Sequence, residues 1–123
     1  MDFILVANEF SPLVETENSR SLSYDLRKLA LDLKKDGEDV KVFIPEYTEF
    51  MKEKHLEELE HVDSFYINGV YIGVNKYNYN GIEVYLIDNK DLFGTRKTLD
   101  SEEDYEYQFS YFARGILEFL TRT

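Results

Sequence analysis

The first 45 residues confine this chain to one kind of architecture. Phe3 to Ala7 is an unbroken apolar run, the pattern of a strand buried on both faces of a parallel sheet. Leu22, Leu26, Leu29, Ala30 and Leu33 then recur at helical spacing, with Lys34 and Lys35 in the last turn and Gly37 just past it. Ser19 or Ser21 is the expected N-cap. Asp39 to Ile44 is a second strand, stopped at Pro45. Strand, helix and strand in this span make a βαβ unit, whose crossover is right-handed.

Thr48 to His61 reads as a short acidic helix with Met51, Leu56 and Leu59 on its apolar side. Beyond it, Asn68-Gly69 and Asn80-Gly81 separate three β-type runs, Val62–Ile67, Val70–Tyr77 and Ile82–Ile87. Asn-Gly supplies the two positive-φ residues of a tight hairpin, so these runs form a meander. A loop over Asp88–Leu99 follows. Ser101, ahead of Glu102, Glu103 and Asp104, is the expected cap of a final helix. Its expected apolar stripe is Tyr105, Phe109, Phe112, Ala113, Ile116, Leu117 and Leu120. The predicted fold is α/β: a truncated Rossmann-like sheet with an N-terminal βαβ unit, a β-meander and a C-terminal helix, in one domain over residues 1–123.

Composition narrows the function. A formal charge of −11 repels phosphate backbones and anionic lipids, so neither nucleic acid nor membrane is an expected partner. The chain has no cysteine, which excludes disulfides and Cys-ligated metal. No metal or other cofactor is expected. Asp2 stands where a secretory leader needs a base, and no apolar run is long enough to span a bilayer, so the expected compartment is the cytoplasm. His55 and His61 lie six apart, which is not ligand spacing, and are expected on a solvated face with Glu57, Glu58 and Glu60. Asp25 suits the helix dipole.

Parallel sheets bind ligands beyond the carboxyl ends of their strands, which directs attention to the loop Asn8–Arg20. It holds no glycine, three glutamates and Arg20 as its one cation, a poor phosphate cradle. Glu15 and Glu17 are better read as exposed loop charge than as the paired acids of a hydrolase.

Phe3 to Glu9 with Pro12 and Thr16, Gly37 to Tyr47, Tyr79 to Asn89 with Leu92-Phe93, and Gln108 to Gly115, taken in this order, resemble the opening of the bacterial glycogen (starch) synthases, glycosyltransferase family 5. Phe3-Ile4-Leu5-Val6-Ala7-Asn8-Glu9, with Pro12 and Thr16, is similar to their first strand and loop. Gly37-Glu38-Asp39-Val40-Lys41-Val42-Phe43-Ile44-Pro45-Glu46-Tyr47 resembles their Gly-His-Asp-Val-Arg-Val-Val-Leu-Pro-Arg-Tyr segment. Tyr79 to Asn89 with Leu92-Phe93, and Gln108 to Gly115 against Arg-Phe-x-x-Phe-Ser-Arg-Ala, complete the match. The resemblance implies the N-terminal catalytic-domain type of an enzyme that moves glucose from ADP-glucose to an α-1,4-glucan. It covers only the first part of such an enzyme. The family's donor motif is Lys-Thr-Gly-Gly-Leu, and its first four positions here read Glu15, Thr16, Glu17 and Asn18. A carboxylate near 4 Å from a phosphate charge costs about 4 kcal/mol at an effective dielectric of 20, where a lysine contributes a similar gain.

The chain is therefore expected to be non-catalytic alone, a binding or assembly module or remnant. The alternative is half of a split glucosyltransferase, completed in trans by a separate chain. An α-glucan is a candidate partner through Tyr71, Tyr77 and Tyr85, although cross-strand tyrosines also stabilise a meander without ligand. The Phe3–Ala7 strand is expected at a sheet edge, paired with a second copy in a homodimer, the alternatives being a strand from another protein or the final helix folded across it.

Overall fold

The computed structural model describes residues 2–14, 20–94 and 102–123. Their sheet has five strands in the order β1-β2-β5-β4-β3. β1 (Asp2–Val6) and β2 (Asp39–Pro45) are parallel, and β2 is parallel to β5 (Ile82–Asp88). β3 (Glu60–Ile67), β4 (Val70–Tyr79) and β5 form the antiparallel meander. Both Asn-Gly turns adopt the left-handed conformation that a two-residue hairpin requires, Asn68 and Gly69 at φ 51° and 78°, Asn80 and Gly81 at 50° and 86°.

Helix α1 (Arg20–Lys35) lies on one face over β2 and β5. Its end is a Schellman turn. The Glu38 amide donates to the Leu33 carbonyl at 3.1 Å and the Gly37 amide to Lys34 at 3.0 Å, with Gly37 at φ 87°. That face encloses Val40, Val42, Ile44, Val84 and Leu86 together with Phe10, Leu13 and Val14 from the loop after β1. Helix α3 (Glu102–Arg122) covers the opposite face, where Phe43, Ile72, Val74, Tyr85 and Ile87 meet Phe112, Ile116 and Phe119. Arg122 anchors its end with a two-pronged bond to Asp63, at 2.8 Å from Nε and 3.2 Å from Nη2.

Several expectations shift. The stretch from Thr48 is a single 3-10 turn, Thr48–Phe50, and a short helix α2, Glu53–Glu57, and the chain is already strand at Glu60. Leu59 packs on the core and alternation takes over there, because cross-strand pairing with β4 outweighs a weak helical pattern. His55 is 6% exposed, with its ring edge-on to Tyr77 at 5.6 Å. It is buried beside the same core as Met51 and Leu59. α3 is rotated from its expected stripe. Gln108, Phe112, Ile116 and Phe119 face the sheet, while Phe109 and Leu117 are 46% and 64% exposed. The rotation follows from Gly115, whose missing Cβ lets the helix settle against Ile72 and Ile87. β1 is half-buried on the α1 side through Phe3 and Leu5 and exposed on the other through Ile4 and Val6, so it is not enclosed on both faces. Ser21 already lies inside α1, and the alternative caps Ser19 and Ser101 lie outside the described residues. No described helix is long and apolar enough to cross a membrane.

A Cβ at Gly115 would stand 3.2 Å from a methyl of Ile72 and 3.2 Å from one of Ile87. Gly115→Val is expected to push α3 off the sheet and cost about 2 kcal/mol, read as a lower urea midpoint at unchanged slope.

Candidate functional site

The carboxyl ends of β1, β2 and β5 converge at one edge of the sheet, the position where parallel sheets bind ligands. The described start of the loop after β1 is not an open cradle. Phe10 and Val14 exchange backbone hydrogen bonds at 3.1 and 2.9 Å, and Phe10, Leu13 and Val14 are fully enclosed. Glu15, Thr16, Glu17 and Asn18 lie outside the described residues.

Two carboxyl groups occupy the next positions along the edge. Pro45 and Ile87 are register partners, so Glu46 and Asp88 follow side by side on adjacent strands. Glu46 is 6% exposed. Asn75 on β4 donates from Nδ2 to its Oε1 at 2.7 Å, and Asn75 Oδ1 lies 3.1 Å from Nδ1 of His61 on β3. Burial, with the neighbouring Asp88 charge, pushes the Glu46 carboxyl up to about 7, against the lowering effect of Asn75. Asp88 is also raised by burial, and the hydrogen bond to Glu46 opposes that rise. Of the two, Glu46 is the carboxyl that burial pushes toward holding a proton near neutral pH. Asn75 links it to β3, donating to Glu46 while its Oδ1 faces the His61 ring.

Asp88 opens into a short π-helical turn, Lys90–Gly94. Asn89 organises it by accepting from the amides of Asp91 and Leu92 at 3.0 and 2.9 Å and donating to the Tyr71 carbonyl at 2.7 Å. The turn delivers Leu92 and Phe93 to the core. Gln108 Nε2 donates to the Leu92 carbonyl, and the residue borders a shallow half-open crevice with Asn8, Pro45, Tyr47, Phe93 and Phe109, its own Oε1 being buried. No described group donates to that oxygen. Among the described residues, none that lines the crevice is cationic.

The three tyrosines do not gather. Tyr71 is 39% exposed and meets Tyr66 of β3 edge-on at 5.8 Å. Its hydroxyl end lies across Gly73, where a Cβ would come within 2.9 Å of it. Tyr77 is half-buried on the α1 face beside His55. Tyr85 points to the other face, 7% exposed, stacked on Phe43 at 5.1 Å with its hydroxyl donating to Glu83. Burial raises Tyr85 to about 12, which keeps it neutral. Among the described residues, no cluster of His, Asp and Glu is placed to hold a metal ion.

The Glu46–Asp88 pair escaped the reading of candidate sites, yet a signal for it was present. Glu46 occupies the position of arginine in the similar Pro-Arg-Tyr segment, and Gln108 that of arginine in the final helix. Both positions border the carboxyl edge, and neither is basic here.

Comparison with known proteins fits this geometry. The starch synthase catalytic domain family model matches residues 3–123, and the chain belongs to that family. It is 32% identical over 124 residues to a glycogen synthase of Finegoldia magna, covering 98% of this chain and 25% of that one. A glycogen synthase of Clostridium acetobutylicum is also 32% identical, over 125 residues, with the same coverage of 98% and 25%. Among solved structures, the catalytic domain of starch synthase IV from Arabidopsis thaliana, bound to ADP and acarbose, superposes with a TM-score of 0.75 at 24% identity. That match covers 97% of this chain and 25% of the plant one. The chain therefore spans about a quarter of the length of the glycogen synthases it resembles.

A pH series tests the carboxyl pair. A folded-state value raised above that of the unfolded chain means that the native state holds a proton the unfolded state releases. Stability contributed by Glu46 is thus full below its unfolded value of 4.5 and is lost as pH rises toward about 7. Acidification works the other way on His55, which burial holds below the ordinary imidazole range. Subtracting the curve of Glu46→Gln from the parent isolates the carboxyl. The variant is expected to gain about 2 kcal/mol on its parent between pH 5 and 8 in urea titrations.

Proposed function

We propose that this chain is the N-terminal part of a glycogen-synthase-type glucosyltransferase that does not transfer glucose by itself and acts as a binding or assembly module. One observation carries the reading. The chain matches the first quarter of such enzymes in order, while the positions of their donor motif hold Glu15, Thr16, Glu17 and Asn18. A nucleotide site of the kind that holds ADP in the plant starch synthase needs cations and close backbone amides. The acidic body and the buried carboxyl pair at the sheet's carboxyl edge support the same conclusion. A cytoplasmic setting, expected from composition, belongs to this reading.

A second reading is half of a split transferase, completed in trans by a chain that brings the remaining three-quarters. The open side of β1 favours it. Glucan contact, if made by this chain, falls to Tyr71 with Tyr66, since Tyr85 is enclosed and Tyr77 packs on His55.

Titration calorimetry at low salt, with ADP-glucose or ADP at millimolar concentration, is expected to give no saturable heat. A 1:1 isotherm would contradict the reading. Glu15→Lys combined with Glu17→Gly and Asn18→Gly is expected to restore little. Maltoheptaose is expected to leave the amide signals of Tyr66, Tyr71 and Tyr77 in place, and a joint shift of Tyr66 and Tyr71 would assign the module a glucan.

A further inference from the structure

β1 ends the sheet with two separate demands unmet. The first is in its backbone. The Ala7 amide donates inward to the Phe43 carbonyl at 3.1 Å. Alternation in a parallel pair then turns Phe3 and Leu5 toward β2 as well, and points the N–H and C=O groups of Asp2, Ile4 and Val6 outward. Among the described residues these outward groups have no strand beside them. The edge also lacks the devices that usually blunt one: no proline, no bulge, and one charged residue, Asp2, at its start.

The second demand is in the side chains. Ile4 and Val6 are 47% and 50% exposed on the face that α3 covers elsewhere. α3 sits beyond them over β3 and β5, with Arg122 tied to Asp63 on the β3 side. At 100° per residue, the flank opposite Arg122 carries Phe109, Ala113 and Leu120. Phe109 is 46% exposed and borders Asn8, just past the end of β1. Ile4, Val6 and this flank thus form an apolar step with a floor of sheet and a wall of helix.

We infer that this step, with the outer edge of β1, is a docking surface for a strand–helix unit of a separate polypeptide. The inference rests on the second reading above and specifies the surface that trans completion would use. The incoming strand satisfies Asp2, Ile4 and Val6. The incoming helix lays an apolar stripe over Ile4, Val6 and Phe109, with basic residues on its outer side to suit a chain of charge −11. A second copy meets only the first demand. A two-fold pair centred on Ile4 would satisfy the outward backbone groups. It would leave the floor residues of both copies in a trough between two distant α3 helices, since neighbouring strands are about 4.8 Å apart and a helix about 10 Å wide. It would also double the acidic charge.

The probe is the Finegoldia magna glycogen synthase lacking the quarter matched here, co-expressed as a separate chain with this protein in full. A 1:1 complex is expected by light scattering, with the Ile4 and Val6 amides exchanging at least a hundred-fold more slowly than in the chain alone. Ile4→Lys is expected to abolish the complex while leaving the melting of the isolated chain unchanged. Tyr107→Lys, at a site 52% exposed on the Arg122 side of α3, should leave the complex intact. Absence of a complex overturns the inference, as does a complex in which Ile4 and Val6 exchange as they do in the free chain. A homodimer of the isolated chain that Ile4→Lys disperses overturns it in favour of a second copy. Mass and exchange are read without glucose transfer, so heat from ADP-glucose would refute the donor-site reading and leave this one standing.

Discussion

The parallel pairing of β2 with β5 is the contact on which the rest of the molecule depends. It joins the βαβ half to the meander, with register partners from Lys41↔Glu83 to Pro45↔Ile87. Val42, Ile44, Val84 and Leu86 fill the α1 side, Phe43 and Ile87 the α3 side, all at 0% exposure. Each contributes about 1.5–3 kcal/mol over leaving it in water. A one-residue slip would send every one of these side chains to the wrong face. The same register sets Glu46 beside Asp88, so the packing at the centre of the sheet also fixes its most unusual electrostatic feature.

Elements specified by local chemistry were legible in the sequence. The two Asn-Gly turns, the Gly37 stop after α1 and the alternation of β4 and β5 each had a mechanism visible in consecutive residues. The family segments placed them in order. Tertiary competition was not legible. The claim of β4 on Glu60 and His61 shortened α2, and the rotation of α3 hung on Gly115, a residue whose role shows only when Ile72 and Ile87 stand opposite it. The candidate site was legible in its location, the carboxyl edge. The carboxyl pair needed two residues 42 positions apart to become neighbours, which the strand order alone supplies.

The two ends of the account meet at β1. Its carboxyl end leads into the loop where the family holds its donor, and its outer edge is where the sheet is open. A chain spanning a quarter of its relatives keeps the packing of α1 and α3 on the sheet, and its carboxyl edge carries acids and amides in place of bases. An edge of acids and amides on a chain of charge −11 offers little attraction to an anion.

The central feature of that edge, a buried carboxyl raised to about 7 at Glu46, is read most directly from the side chain itself. Carbon-13 resonances of the Glu46 carboxyl, followed through a pH titration of the folded chain, are expected to move with a midpoint near 7. Assignment is secured by loss of the signal in Glu46→Gln. A midpoint at the ordinary value of 4.5 would mean an ionised Glu46 at neutral pH, and would contradict the account.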